Sequence, residues 1–346
     1  MNRIAMSAFV VLALVVGAAV AQADGILLRY KFEAGQVFRT IEIVKGNLPV
    51  EVSMAMPGQV AAGGNVPGNM AIDVALDMTI HKVMTVNSVD DNGVATVSLK
   101  VEYMLTETNT QVGEQLITNR MEFEDGELTT SGTGGQEMPA DKLAKLKELL
   151  NMDFQARMDP LGGVKPIGTD FAEIWKQTAG DAMSGVDFRQ LTRATMGLPE
   201  EAVEIGASWE NEYRTGDDDS VVANSTMTLL ALEDGAAGRL AKIRGESLIR
   251  VQDQEARPTG GALMPGMMEG MESKLEFLEL TMVTDIVMDL DLGQVTKTAA
   301  DITMNMDQTM TMDLGKAMGG GQAAKMEMKV KIRDGKMKSN AVTMVE

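Results

Sequence analysis

Apolar and polar residues alternate with a period of two along most of this 346-residue chain, and no other feature restricts its fold as much. Over 302–314 the even positions are Ile302, Met304, Met306, Gln308, Met310, Met312 and Leu314, while Thr303, Asn305, Asp307, Thr309, Thr311 and Asp313 fill the odd ones. Successive side chains of a strand point to opposite faces, so the pattern predicts a strand with one dry side and one wet side. Val74, Leu76, Met78, Ile80, Met84 and Val86 repeat it, as do Ala95, Val97, Leu99, Val101 and Tyr103. Leu278, Leu280, Met282, Ile286, Met288 and Leu290 form a further series, and Met326, Met328, Val330 and Ile332 another. Antiparallel sheet with one solvated face follows, because strands of a parallel sheet are buried on both sides and read as unbroken apolar runs.

The residues between these runs agree with hairpins. Asp90-Asp91-Asn92-Gly93, Glu124-Asp125-Gly126, Glu233-Asp234-Gly235 and Arg333-Asp334-Gly335 each put glycine after Asn or Asp, where a tight turn needs positive φ, and Leu292-Gly293 stands in an equivalent place. Helical periodicity is confined to the middle of the chain. Leu143, Leu146, Leu149 and Leu150 fall on one stripe between Asp141 and Asn151. A second helix is expected from Thr169 or Asp170, burying Phe171, Ile174 and Trp175, and a third from Asp187 to Met196, where Gly197 stops it.

The expected fold is therefore α+β and predominantly antiparallel β, with two related lobes of curved meander sheet, or a half-barrel, and a few helices near their junction. Residues 24–197 form the N-terminal β lobe, with helices near 140–151, 169–180 and 187–196, and residues 198–346 the C-terminal β lobe. A weak repeat suggests the pairing of lobes: Phe32-Glu33-Ala34-Gly35-Gln36-Val37-Phe38 resembles Val203-Glu204-Ile205-Gly206-Ala207-Ser208-Trp209.

Residues 1–23 read as an export signal, with Arg3 ahead of an apolar stretch from Phe9 to Val20 and the small-x-small site Ala21-Gln22-Ala23 before Asp24. The apolar stretch is short for a bilayer span, so the expectation is a chain soluble outside the cytoplasm, periplasmic or extracellular, after cleavage near Ala23, with no transmembrane segment remaining. With no cysteine, disulfides, thiolate metal sites and cysteine nucleophiles are excluded. A formal charge of -19 argues against a nucleic-acid partner, since a phosphate backbone needs a basic patch.

The order Leu198-Pro199-Glu200-Glu201-Ala202-Val203-Glu204-Ile205-Gly206-Ala207-Ser208-Trp209, together with the opening Leu28-Arg29-Tyr30-Lys31-Phe32-Glu33-Ala34-Gly35, resembles an uncharacterised family of exported bacterial β-rich proteins known as a domain of unknown function. The resemblance implies export and a β-rich body, and it brings no catalytic residue with it. On its own chemistry, proline ends the preceding helix, the glycine permits a turn, and Trp209 anchors the strand that follows.

Candidates for chemistry are few. His81 is the single imidazole and stands on the polar side of its strand, so histidine triads and multi-histidine zinc sites lack their parts. No nucleotide-binding loop is present, and although carboxylate pairs could serve acid/base chemistry, the chain is expected not to be an enzyme. Methionine is the residue in excess, at 30. Met54 and Met56, the run Met264-Pro265-Gly266-Met267-Met268-Glu269-Gly270-Met271, and the pairs Met304/Met306 and Met310/Met312 bring thioethers together. Packing of an aromatic-poor core is the first reading, a Met-lined cavity for an apolar ligand with 54–70 and 259–271 as lips the second, and thioether binding of Cu(I) the third. Asp217-Asp218-Asp219, and Asp285, Asp289 and Asp291 on one wet face, read as solvated charge rather than a Ca²⁺ loop. The role expected is a binding or structural one in the cell envelope, for an apolar small molecule or as an interaction module for another envelope protein. The sequence assigns no catalytic, cofactor-binding or metal-ligating residue and no cofactor.

Overall fold

The computed structural model describes residues 25–55, 69–133, 140–168, 188–215, 220–235, 238–256, 271–313 and 325–346. Its strands in chain order are β1 (Val37–Ala55), β2 (Asn69–Val89), β3 (Ala95–Val112), β4 (Gln115–Glu124), β5 (Glu127–Gly132), β6 (Phe154–Met158), β7 (Val164–Pro166), β8 (Ser208–Thr215), β9 (Val221–Gly235), β10 (Gly238–Ala256), β11 (Met271–Asp289), β12 (Gln294–Asp313) and β13 (Lys325–Val345). Two helices, α1 (Ala140–Leu150) and α2 (Phe188–Met196), complete the described elements. The strands form one open, curved antiparallel sheet in the order β5-β4-β3-β2-β1-β13-β12-β11-β10-β9-β8, with β6 on the outer edge of β3 and β7 on β6.

This order has a simple spatial sense. The chain starts at the centre with β1, steps out to β5, returns through β6, β7 and α2 to the opposite edge, and meanders back until β13 pairs with β1. The two strand sets thus run in the same direction across the sheet. Their entrances match in detail. Gly35 and Gly206 adopt φ of 91° and 87°, and each is followed by a strand whose second residue is aromatic, Phe38 or Trp209. Gly35 N–H donates to Val86 O and Val86 N–H to Gln36 O; likewise Gly206 N–H donates to Leu229 O and Leu229 N–H to Ala207 O. The weak resemblance between these segments therefore reflects one local geometry used twice.

One face of the sheet carries the apolar series. Phe38, Val44, Leu48, Val50 and Val52 of β1 lie on it, as do Ile72, Val74 and Val86 of β2 and Val330 and Ile332 of β13. At the end where the chain enters, residues 25–35 cross this sheet as a clasp. Ile26 bridges to Val203, Tyr30 N–H donates to Pro160 O, and Lys31 N–H donates to Gly293 O. Arg29 donates to the carbonyls of Pro199 and Glu200, so the two segments of the family-like pattern meet. Leu28 is wholly buried beside Leu198, Leu229, Ala241, Ile243 and Met288. The α2 helix covers the same region. Its end is held by Trp209 Nε1 and Asn211 Nδ2, which both donate to Gly197 O, and by Ser247 Oγ, which donates to Thr195 O. These polar side chains on the inner face thus take up carbonyls that a helix terminus leaves free. Over β3–β5 on the same face, α1 lays Leu143, Leu146 and Leu150 against Met104, Phe123 and Leu128, as its stripe predicts.

Three sequence expectations need correction. Arg333-Asp334-Gly335 is no hairpin turn: β13 continues through it, and Asp334, at φ 52°, makes a bulge where Met304 and Met306 oppose Gly335 and Ile332. A bulge at Glu102 likewise shifts β3 by one residue, because Lys82 pairs with Val101 and His81 with Tyr103. Tyr103 therefore leaves the inner face and Met104 takes its place. Asp289 does not share the wet face of Asp285; it is buried, with Oδ1 accepting from the N–H groups of Asp291 and Leu292 in the β11–β12 turn. The turns at 90–93, 124–126 and 292–293 occur as expected, and Gly235 ends β9 at the β9–β10 connection. The helix expected near 169–180, the 1–23 leader and Asp217–219 lie outside the described residues.

Two predictions concern the clasp. A Cβ on Gly293 would stand 2.7 Å from the backbone nitrogen of Lys31, whereas Gly113, also at positive φ, has nothing within 4 Å of such an atom. Gly293→Ala is expected to lose about 1–3 kcal/mol more stability than Gly113→Ala in urea unfolding; equal losses would mean that Lys31 does not lie against the turn. Burial pushes the Tyr30 phenol up to about 12. Because the folded state holds this proton more tightly than the unfolded chain, whose phenol titrates near 10, stability should fall between about pH 10 and 12. Tyr30→Phe, followed by thermal unfolding across that range, is expected to flatten the decline.

Candidate functional site

Between the clasp end and the far end, the inner face changes character. At the far end Leu48, Val50, Val52, Ile72, Val74, Met310, Met328, Val330 and Ile332 form a buried cluster. At the clasp end lie the clusters of Leu28 and of Phe38. In the band between them Leu76, Met78 and Ile80 of β2, Met337 of β13, Ile302 and Met304 of β12, and Leu280 and Met282 of β11 are only half-buried. Register aligns them: Leu76 faces Gly46, Gly46 faces Met337, Met337 faces Ile302, and Ile302 faces Met282. The band measures about 20 Å along β2 from Leu76 to Lys82, at roughly 3.3 Å per residue.

The clasp-side margin of this band is polar. Glu42 shares the parity of Phe38 and Val44, and Lys82 that of Ile80 and Met84, so both carry their charge on the apolar face. Lys82 Nζ donates to Glu42 Oε2, and Ser339 Oγ donates to Glu42 Oε1 at 3.1 Å. Thr40, directly opposite Lys82, shares a 3.0 Å hydroxyl contact with Thr343. The pair is 25% and 29% exposed, against 66% and 45% for the outer-face pair Lys45–Asp77. Partial burial makes such a pair costly to break, since removing one partner strands the other charge. Further along the margin the side chains are small, Ala341, Thr298 and Ala300, and Thr284 is 5% exposed with its hydroxyl unpaired among the described residues.

The sequence holds a signal for this margin that the apolar series passes over. Lys82 occupies an even position within Val74 to Val86, the one charge in that series, and Glu42 interrupts the corresponding positions of β1. A charge at a core parity is the mark of a group with a specific partner. Of the residues singled out by sequence, His81 stands on the outer face, its ring 4.9 Å from that of Tyr103. Met304, Met306, Met310 and Met328 all lie on the inner face. Met337 lies across Gly46 and Met227 across Gly245, each filling space a side chain would take, so these two serve as packing. Met310 is opposite Met328 in register, and Met328 is opposite Met54 on the other side. The loop methionines of 56–68 and 257–270 lie outside the described residues, and no group of three His, Asp or Glu side chains that could hold a metal occurs among those described.

No protein-family model matches the chain, and no curated protein matches it. Among solved structures, an outer membrane channel from Pseudomonas putida F1 aligns over 92% of this chain and 97% of its own, at 8% identity and a TM-score of 0.21. So loose a superposition assigns neither fold nor role. The outer face of the sheet bears on the question directly. Lys45–Asp77 at 2.6 Å, Arg120–Glu107 at 2.6 Å, Arg250–Glu279 at 2.7 Å and Lys338–Asp301 at 3.2 Å tie neighbouring strands across it. A membrane barrel turns an apolar band about 25 Å tall toward lipid, and ion pairs distributed in this way are what water, not hydrocarbon, accommodates. No described helix is long and apolar enough to cross a membrane.

Replacing Thr284 by valine removes a buried hydroxyl that has no described partner while keeping its shape. Thr284→Val is expected to leave stability unchanged or to raise it by up to about 2 kcal/mol in denaturant unfolding. A loss of more than about 1 kcal/mol would show that the hydroxyl has a partner.

Proposed function

We propose that this chain is an exported, non-catalytic binding protein of the cell envelope that takes an apolar molecule on the inner face of its sheet. The half-buried band over β2, β1, β13, β12 and β11 carries this reading. The same face is buried under the clasp and α2 at one end and within the Leu48 cluster at the other. Between them, Met78, Ile302 and Met282 are half-buried and retain apolar surface that an occupant would cover. Methionine suits such a surface, because an unbranched thioether adapts to ligands of varied shape. The acidic, ion-paired outer face supports solubility, and export rests on the leader-like residues 1–23.

The test is a displacement titration with Nile red on the mature chain, with native mass spectrometry of the protein as purified. Met304→Gln is expected to weaken Nile red binding by about tenfold, the worth of a buried apolar group. Met344→Gln, the same exchange on the outer face, where the methionine is 51% exposed, should leave binding unchanged. Equal effects, or no binding by the unaltered protein, would overturn the reading. A second reading, thioether binding of Cu(I), rests on the register of Met54, Met328 and Met310. Cu(I) titration against a competing chelator tests it, and affinity no better than that of free methionine ends it.

A further inference from the structure

We infer that the outer face of the sheet is an interface between two copies of this chain, related by a two-fold axis that runs along the strands between β1 and β2. The inference is independent of the apolar-ligand reading, since it leaves the inner face uncovered. Eleven large apolar side chains are exposed among the described residues, and four of them, Ile41, Ile43, Val342 and Met344, are neighbours on β1 and β13. Val83 of β2 and Leu105 of β3, both half-buried, extend the patch on the same outer face. Apolar side chains gathered on a solvated face mark a contact surface.

Charge identifies the occupant. Register places Lys297, Val342, Ile41, His81, Tyr103 and Glu124 in one row from β12 to β4. Lys297 and Glu124 are exposed and have no partner among the described residues. A row that is positive at one end, apolar in the middle and negative at the other is complementary to its own reversal. Rotation about an axis along the strands brings Lys297 of each copy to Glu124 of the other, Val342 to Tyr103 and Ile41 to His81. Two rows further toward the far end, beyond Ile43 and Leu105, the series Asp301, Lys338, Lys45, Asp77, Glu107 and Arg120 obeys the same rule. The rotation sets Asp301 against Arg120, Lys338 against Glu107 and Lys45 against Asp77, so ion pairs already made within each chain join across the interface. Rotation about the row direction would set every one of these charges against itself. A uniformly basic partner would suit Glu124 and be repelled by Lys297, whereas a second copy satisfies both. Sheets packed face to face keep their strands within about 30° of one another, as this axis requires.

The patch covers about 24 Å across the strands and about 20 Å along them, roughly 500 Å², against about 800 Å² per partner in a standard interface. The dimer is therefore weak, with a Kd on the order of 10–100 µM. Sedimentation velocity of the mature chain over a concentration series is expected to show monomer passing to dimer in that range. Lys297→Glu and Glu124→Lys should each weaken self-association about tenfold, because one reversal puts two like-charged contacts into a symmetric dimer. The double variant Lys297→Glu/Glu124→Lys should return to within about twofold of the unaltered chain. An equimolar mixture of the two single variants should associate more tightly than either alone, a gain that a misfolded variant cannot mimic. A monomer throughout the series overturns the proposal. So does a dimer indifferent to either single reversal, or a double variant that stays as weak as the singles.

Discussion

Side-chain parity, held in register from strand to strand, is the constraint on which this molecule depends. A one-residue slip in any pairing would carry an entire apolar series to the solvent face. The protein keeps parity over strands such as β2, which spans Asn69–Val89, and releases it at bulges; at the β13 bulge both neighbouring pairings shift together. Turns with Gly93, Gly126 and Gly293 fix where each meander reverses, and Asp90 and Asp289 reinforce two of them by accepting backbone N–H groups. For Asp90 those bonds, led by the one from Val94, hold the carboxyl below its ordinary range.

The same constraint explains what could be read beforehand. Unbroken alternation at Val74 to Val86 and Leu278 to Leu290 predicted faces that the structure reproduces, because no bulge interrupts the quoted positions between 74 and 80 or between 278 and 286. The errors fall at bulges. Asp334-Gly335 has the chemistry of a hairpin turn, and positive φ is indeed adopted at Asp334, but the strand passes on because Met304 and Met306 hold Gly335 and Ile332 on the same face. Local composition specifies the dihedral angle and cannot specify whether the chain reverses. Tyr103 was misplaced for a similar reason, since nothing in Glu102 itself announces an extra residue. The clasp was legible only as two short patterns, Leu28 to Gly35 and Leu198 to Trp209; their contact through Arg29 and Val203 is a long-range fact that periodicity does not encode.

Methionine's abundance follows from the architecture more than from any metal. Long strands curving over one face leave irregular gaps between rows, and the chain has only 8 Phe, 3 Tyr and 2 Trp to fill them. Unbranched thioethers fit where a ring would not, as Met337 does over Gly46 and Met227 over Gly245. Both are places where the neighbouring strand offers no Cβ. The glycine and the methionine pack as a pair across the two strands, and a side chain at either glycine would meet the methionine.

An inner face built only for packing would have no use for a charge at a core parity. Glu42 and Lys82 could be replaced together by apolar residues of similar size with little loss, since buried ion pairs contribute little net stability. Their position is informative for the same reason: they stand where the clasp-side core ends and the half-buried apolar band begins, among Thr40, Thr343 and Ser339. The face therefore runs from sealed core to polar point to open apolar rows to sealed core again.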